Sequence, residues 1–477
     1  MTDNPRQAVI LIHGIGEQRP METLRAFVDG ILDYKFTGSL VDTKYYSKPD
    51  LISETFELRR LVSAGGRTDR TDFYEYYWAH LMPTAAWDRI MSWFSILMYR
   101  GWNDVPPRIR PIWAASWVAA TVLAILGLLS IWRFASSSTA TAGLLDDVPW
   151  FLLAVFAVIS AGIRSYIGDA AVYLSPAPAN IEARQHIRST GLKLLENIIA
   201  SGRYDRVIVV GHSLGSVIGY DILTLAWQRH FDTVRQHLSA EWIGGRPPVI
   251  KDAAITAAEK LAKEIRDIKH PTAKQTETFA AKWRQATWAV AKEQALNGYP
   301  WIVSDFVTLG SPLTHGDLLL AKNSQDFIRR TMERELPHCP PTRELHGAFS
   351  FQHKDIDKDG KQHRATVLNN AALFAATAWT NHYFKSVGLL YGDYIGGQLA
   401  PLFWAGVRDV AVKTRKRAGW FAHTSYWARD ERDTDQAGAP LLCLKTALDL
   451  NRDRPWPPIE DVAAESVETA SVDADKN

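Results

Sequence analysis

Residues 207–221 read VIVVGHSLGSVIGYD, and this stretch decides how the rest of the chain is read. Val207 to Val210 is a run of four β-branched residues, the mark of a short buried strand. It runs into Gly211-His212-Ser213-Leu214-Gly215, after which Val217, Ile218 and Ile222 continue at helical spacing. A strand, a Gly-x-Ser-x-Gly turn and a helix together put a serine on a sharp, strained bend. Glycines two residues to either side remove the Cβ atoms that would strike the neighbouring strand and helix. The helix N-terminus adds backbone N–H groups and the positive end of a dipole beside the hydroxyl. Ser213 is therefore the candidate nucleophile, and Leu214 N–H the first candidate oxyanion donor.

Outward from this turn, other segments follow the same grammar. Ala8 to Ile12, AVILI, is an apolar run ending in His13-Gly14-Ile15-Gly16; Phe73 to Trp78 and Phe306 to Leu309 are further strand candidates. ARQHIRSTGLKLLENIIASG, residues 183–202, has helical spacing at Ile187, Leu192, Leu195 and Ile198. Strands alternating with helices predict an α/β fold with a mostly parallel sheet flanked by helices.

Residues 112–167 break the pattern. Ile112 to Ile131 carries no charge and is long enough for a bilayer, which takes about 20 helical residues. Trp113, Trp117 and Trp132 stand towards its ends, where interfacial belts lie. Val148 to Ile163 is shorter, and either a second span or a very apolar core segment. Strand candidates of one sheet lie on both sides, so the chain crosses an even number of times or not at all. A two-helix transmembrane hairpin is expected. Arg100, Arg108 and Arg110 precede it and Arg164, Arg184 and Arg188 follow it, so the catalytic domain is expected in the cytoplasm, with a short external loop. The helical pattern ahead of the hairpin, with Trp87, Ile90, Met91, Phe94, Leu97 and Met98 on one face, fits either the membrane interface or a cover for the sheet. Residues 1–110 and 169–453 thus read as two parts of one α/β domain. Residues 111–168 are the hairpin, 232–299 a helical insertion, and 454–477 a disordered acidic tail.

Composition narrows the function classes. A net charge of +2 argues against a nucleic-acid binder working by phosphate neutralisation. Two cysteines, Cys339 and Cys443, suit a reducing compartment and make no disulfide framework. MTDNPRQAVILIHG has too short an apolar run for a secretory signal. Asp355, Asp357, Asp359 and Gly360 begin like a calcium loop, but Thr366 stands where a bidentate glutamate belongs. A polar hairpin turn is the better reading there, and no metal or organic cofactor is expected. The basic run Lys413 to Arg417 fits anionic lipid headgroups or a solvated loop.

With these pieces in order, the chain resembles the α/β-hydrolase superfamily in its lipase and esterase-like branch. The resemblance rests on LIHGIGEQ, VIVVGHSLGSVIGYDIL, FVTLGSPL, WTNHYF with YGDYIGG, and HTSYW, which span most of residues 8–427. The membrane hairpin falls outside the family's common pattern. A serine hydroxyl needs a base and an orienting carboxylate, and the family order is Ser, then Asp or Glu, then His. The resemblance makes His423, in FAHTSYW, the base, with His382 as competitor. It makes Asp393, in YGDYIGG, the acid, with Asp317 as runner-up and Asp305 buried in its strand. Gly14 and Ile15 would complete the oxyanion hole, with His13 shaping that loop. The implied activity is a membrane-anchored serine hydrolase acting on carboxylic esters, those of lipids or phospholipids above all. A thioesterase or peptidase on the same triad, or a non-catalytic membrane scaffold, are the alternatives; the bilayer is the expected partner.

Overall fold

The computed structural model describes residues 6–14, 19–33, 44–53, 57–63, 70–82, 101–102, 105, scattered positions of 110–129, 173–174, 178–244, 250–268, 271–344, 347–386, 392–393, 395–413, 422–427 and 438–450. Its strands are β1 (Arg6–Ile12), β2 (Tyr45–Pro49), β3 (Arg59–Ser63), β4 (Arg70–Tyr76), β5 (Arg206–His212), β6 (Val303–Leu309), β7 (Ser350–Ile356), β8 (Gln362–Leu368), β9 (Ala378–Phe384) and β10 (Arg408–Val412). Eight of them form one sheet in the order β10-β9-β6-β5-β1-β4-β3-β2. From β10 to β4 every pairing is parallel, and only the β4–β3 and β3–β2 pairings at the far side are antiparallel. This is the expected α/β fold with a mostly parallel sheet.

Side-chain alternation divides the core between the two faces of the sheet. Val9, Leu11, Ile208, Val210, Val307 and Leu309 point to one face, while Ile10, Ile12, Val207, Val209 and Phe306 point to the other. Helix α1 (Glu22–Ile31) covers the first face with Leu24, Phe27 and Val28, together with α6 (Pro440–Leu448). The second face is packed by α2 (Pro178–Ala200), α3 (Leu214–Ile243), α4 (Ala253–Arg266) and α5 (Ala273–Leu296). The four positions that the sequence marks on α2, Ile187, Leu192, Leu195 and Ile198, are all buried there. A sheet covered on both faces needs strands apolar on both faces, as AVILI and VIVV are.

One boundary differs from expectation. The helix after Ser213 runs unbroken to Ile243, so residue 232 lies inside it and the helical insertion begins only after α3. There α4 and α5 pack together, and α5 opens on a capping box between Thr272 and Gln275. The edge strands β2 and β10, and β3 beside β2, have no apolar run as long as AVILI and are not among the strand candidates.

The expected hairpin is described only in part. Described positions from 113 to 129 are helical, and among the described residues no helix is long and apolar enough to cross a membrane. Val148 to Ile163, most of the amphipathic stretch before the hairpin, Thr414 to Arg417 and the acidic tail lie outside the described residues. Residues 357–361 form the turn of the β7–β8 hairpin, as expected: Asp357 Oδ1 accepts from the N–H groups of Asp359 and Lys361, 2.9 Å each. No group of residues suited to a metal ion occurs among the described residues.

Asp305, on β6, is buried between two guanidinium groups, 2.6 Å from Arg206 and 2.7 Å from Arg284. Burial opposes its ionisation, but Arg284 and Arg206 outweigh that and pull its pKa down to about 2. A carboxylate depressed below its unfolded value adds stability above that value, and loses it as pH falls towards the folded one. Asp305→Ala leaves two cations without their partner and is expected to cost about 3–5 kcal/mol in urea unfolding at neutral pH. The deficit should shrink between about pH 4 and pH 2, and a constant deficit across that window would contradict the assignment.

Candidate active site

The parallel strands β1, β5, β6 and β9 all end at one edge of the sheet, and open α/β sheets bind ligands outside the carboxyl ends of their strands. Ser213 stands there, between the last residue of β5 and the first of α3. Its backbone has φ 51° and ψ −127°, a region that side chains other than glycine rarely enter. The strain is held from both sides: Ser213 N–H donates to Leu309 O on β6 at 3.0 Å, and Ser216 N–H donates to Ser213 O at 3.0 Å. The Ser216 hydroxyl lies 2.5 Å from that same carbonyl and 2.6 Å from Ser311 Oγ, so the turn is tied to the loop after β6.

The flanking glycines are required by space. A Cβ on Gly215 would stand 2.2 Å from Ile12 O and 2.4 Å from His13 O, and one on Gly211 2.5 Å from Ser216 Cα. Those neighbours are backbone and cannot step aside. A Cβ on Gly14 would lie 2.9 Å from Ser213 Cβ, so the loop after β1 passes directly against the serine. Leu214 opens α3, and its N–H therefore has no carbonyl of its own helix to bond. Ile15, the other expected oxyanion donor, lies outside the described residues.

His423 and Asp393 come together at the same edge. His423 sits on a short turn, Ala422–Thr424, and its Nδ1 is 2.9 Å from Asp393 Oδ2. Asp393 follows β9 in the glycine-rich loop, where its Oδ1 accepts from Ile395 N–H and Gly396 N–H at 2.9 Å each. Burial works against the Asp393 charge, but the hydrogen bond and charge of His423, with Gly396 N–H and Tyr426, bring its pKa down to about 2. An ionised carboxylate only accepts, so His423 carries its proton on Nδ1. Its Nε2 is then the basic atom, and it is buried with no hydrogen-bond partner among the described residues. Ser213, Asp393 and His423 are all almost completely buried.

The competing residues stand elsewhere. His382 lies within β9, paired in register with Leu309 and Val410, with no carboxylate on its ring among the described residues. Asp317, on the short half-buried helix Gly316–Leu319, accepts from Ser324 Oγ at 2.8 Å, and Asp305 belongs to the arginine pair already described. His13 is a loop-shaping residue, as expected. Its Nδ1 bonds Gly14 O at 2.8 Å, its Nε2 faces Trp78 N–H at 3.4 Å, and the Trp78 indole donates to His13 O at 3.0 Å. Burial lowers the His13 pKa to about 4, so the ring stays neutral.

Three neighbours escaped the sequence reading. His212 Nε2 lies 2.8 Å from His423 O; a carbonyl only accepts, so that nitrogen carries the proton. Gly310 has φ +57°, and a Cβ there would strike Tyr426, Asp393 and His423 at 2.6–2.9 Å. Tyr426 donates from its hydroxyl to Asp393 Oδ2 at 2.7 Å. All three lie within the quoted motifs GHS, GSP and HTSYW, but only the folded chain brings these motifs together. Compared with protein-family models, curated proteins and solved structures, the chain matches none of them.

Proposed function

We propose that this chain is a membrane-anchored serine hydrolase of the α/β-hydrolase type that cleaves carboxylic esters, with lipid or phospholipid acyl esters as substrate. One observation carries the reading: a serine in a strained strand-to-helix turn shares a sheet edge with a His423–Asp393 pair whose Nε2 is unengaged. The chain order Ser213, Asp393, His423 is that of the superfamily.

In this mechanism Ser213 Oγ attacks the acyl carbonyl while His423 Nε2 takes its proton. The oxyanion is held by Leu214 N–H and, from the loop beside Gly14, Ile15 N–H. As the tetrahedral intermediate collapses, the C–O bond to the alcohol breaks and His423 returns the proton to the leaving oxygen. Asp393 holds the imidazole in its Nδ1–H tautomer and stabilises the imidazolium. Water then attacks the acyl-enzyme by the same steps in reverse roles, releasing the acid. Labelling by a fluorophosphonate, followed by a panel of acyl esters, tests the reading; a protein that folds and resists the probe would be a scaffold instead.

The lipid assignment rests on the segment around residue 120. Every described position from 117 to 129 is helical and exposed, and none is charged; Val118 is 63% and Leu128 66% exposed. A band of exposed apolar side chains along a helix is disfavoured in water and suits hydrocarbon. At the start of this helix Trp102, Trp113 and Trp117 cluster edge to face, with Arg110 over Trp102, an arrangement suited to the headgroup layer. The protein is expected to stay with membranes through alkaline carbonate. A cysteine placed among Ser136 to Ala142 should react with an impermeant maleimide from outside the cell, and one at Arg67 should not. Release by carbonate with the loop cysteine protected would remove the integral hairpin and leave the hydrolase reading standing.

A further inference from the structure

We propose that Tyr426 is a positioning residue of this site: its hydroxyl donates to the same Asp393 oxygen that faces His423, and so sets the orientation and charge of the carboxylate. The inference rests on the serine-hydrolase reading for its catalytic consequence, but the clamp itself is geometric.

Donor accounting fixes the direction of each bond. Phe384 N–H, at the end of β9, donates to the Tyr426 hydroxyl oxygen at 3.3 Å. A backbone N–H cannot accept, so the phenol proton is free for Asp393 Oδ2, 2.7 Å away. The carboxylate thus receives four donors. Ile395 and Gly396 N–H hold Oδ1, while His423 Nδ1–H and Tyr426 O–H share Oδ2. Tyr426 is 1% exposed, its ring lies 4.9 Å from that of Phe384, and burial followed by the Asp393 charge pushes its ionisation well above the ordinary tyrosine range. It therefore stays a donor at every working pH. The lack of a side chain at Gly310 leaves room for Tyr426, Asp393 and His423 to meet.

A second donor on Oδ2 draws negative charge away from the imidazole. Its removal strengthens the attraction between Asp393 and a protonated His423, so the base titrates at higher pH. It also frees the carboxylate to turn, which slows the reaction. Among the described residues, the titratable groups facing His423 are Asp393, Tyr426 and, from β5, His212, whose ring centre is 5.1 Å away. Burial, aided by His423, lowers the His212 pKa to about 3, so His212 does not titrate in the window observed.

The test compares wild type and Tyr426→Phe. In the variant the plateau rate of fluorophosphonate labelling should fall about tenfold, the loss of one hydrogen bond to a charged group. The midpoint of its acidic limb should rise by about half a unit to one unit. A merely structural role would lower the labelled fraction or the melting temperature and leave the midpoint in place. Independently of catalysis, the downfield proton resonance of His423 Nδ1–H, assigned by its loss in His423→Ala, should move and titrate at higher pH in Tyr426→Phe. An unmoved limb together with an unmoved resonance would overturn the proposal. If the wild type is not labelled at all, the hydrolase reading fails, and the resonance alone then decides whether the clamp exists.

Discussion

Ser213→Ala is expected to abolish fluorophosphonate labelling and to lower ester hydrolysis by about 10⁴-fold or more, with membrane association and the melting temperature close to wild type. The probe reacts only with an activated serine: Oγ bonds to phosphorus, fluoride leaves, and the hydroxyl proton passes to the base. The two serines packed behind the turn cannot take that role. Ser216 and Ser311 are fully buried and engaged with each other, and neither stands next to an uncapped helix N–H as Ser213 does. Removing one hydroxyl leaves the turn's backbone bonds to Leu309 and Ser216 intact, so the fold should survive. A small alanine also accepts the positive φ no worse than serine does. Labelling that persists in the variant at the wild-type rate would put the reactive serine elsewhere and end the mechanism.

How much of this was legible follows from what each feature depends on. The parallel core was readable because a strand buried on both faces must be a continuous apolar run, and β1, β5 and β6 are such runs. The turn at Ser213 was readable because a strained bend with close backbone neighbours demands glycine at fixed offsets, 211 and 215. Chain order together with the family resemblance of YGDYIGG and FAHTSYW singled out Asp393 and His423, and the structure brings these two together and leaves His382 and Asp317 apart. The unread parts depend on contacts between segments far apart in the chain. Tyr426 meets Asp393 across 33 positions and His212 meets His423 across 211, and no local pattern records such pairings. The outer strands escape for another reason: β2, at the edge, reads YYSKP and β3, next to it, reads RRLVS, and half-solvated strands need no long apolar run. The length of α3 was missed because its second half turns polar, with Val234, Leu238 and Trp242 packing on the β7–β8 hairpin and not on the sheet.

The base and the acid should separate from their competitors in a graded way. His423→Ala is expected to be nearly as damaging as Ser213→Ala, because the members of such a triad act as a unit and either loss removes proton transfer. Asp393→Asn should cost less than His423→Ala, and the site shows why its cost remains large. Ile395 and Gly396 N–H would hold the carboxamide oxygen where Oδ1 now sits, which places the new NH₂ beside His423 Nδ1. Two donors cannot share that contact, so the imidazole proton moves to Nε2 and the basic nitrogen becomes Nδ1, which is turned to position 393. The effect on kcat/KM is expected to be about 10³-fold to 10⁴-fold, from the wrong tautomer alone. Asp317→Asn, which removes charge from a group that accepts from an exposed serine hydroxyl, should stay within about twofold of wild type. Initial rates on one soluble acyl ester, measured for the three variants beside Ser213→Ala, decide the assignment. If Asp317→Asn loses more activity than Asp393→Asn, the acid sits after β6 and the hydrogen bond between Asp393 and His423 is structural.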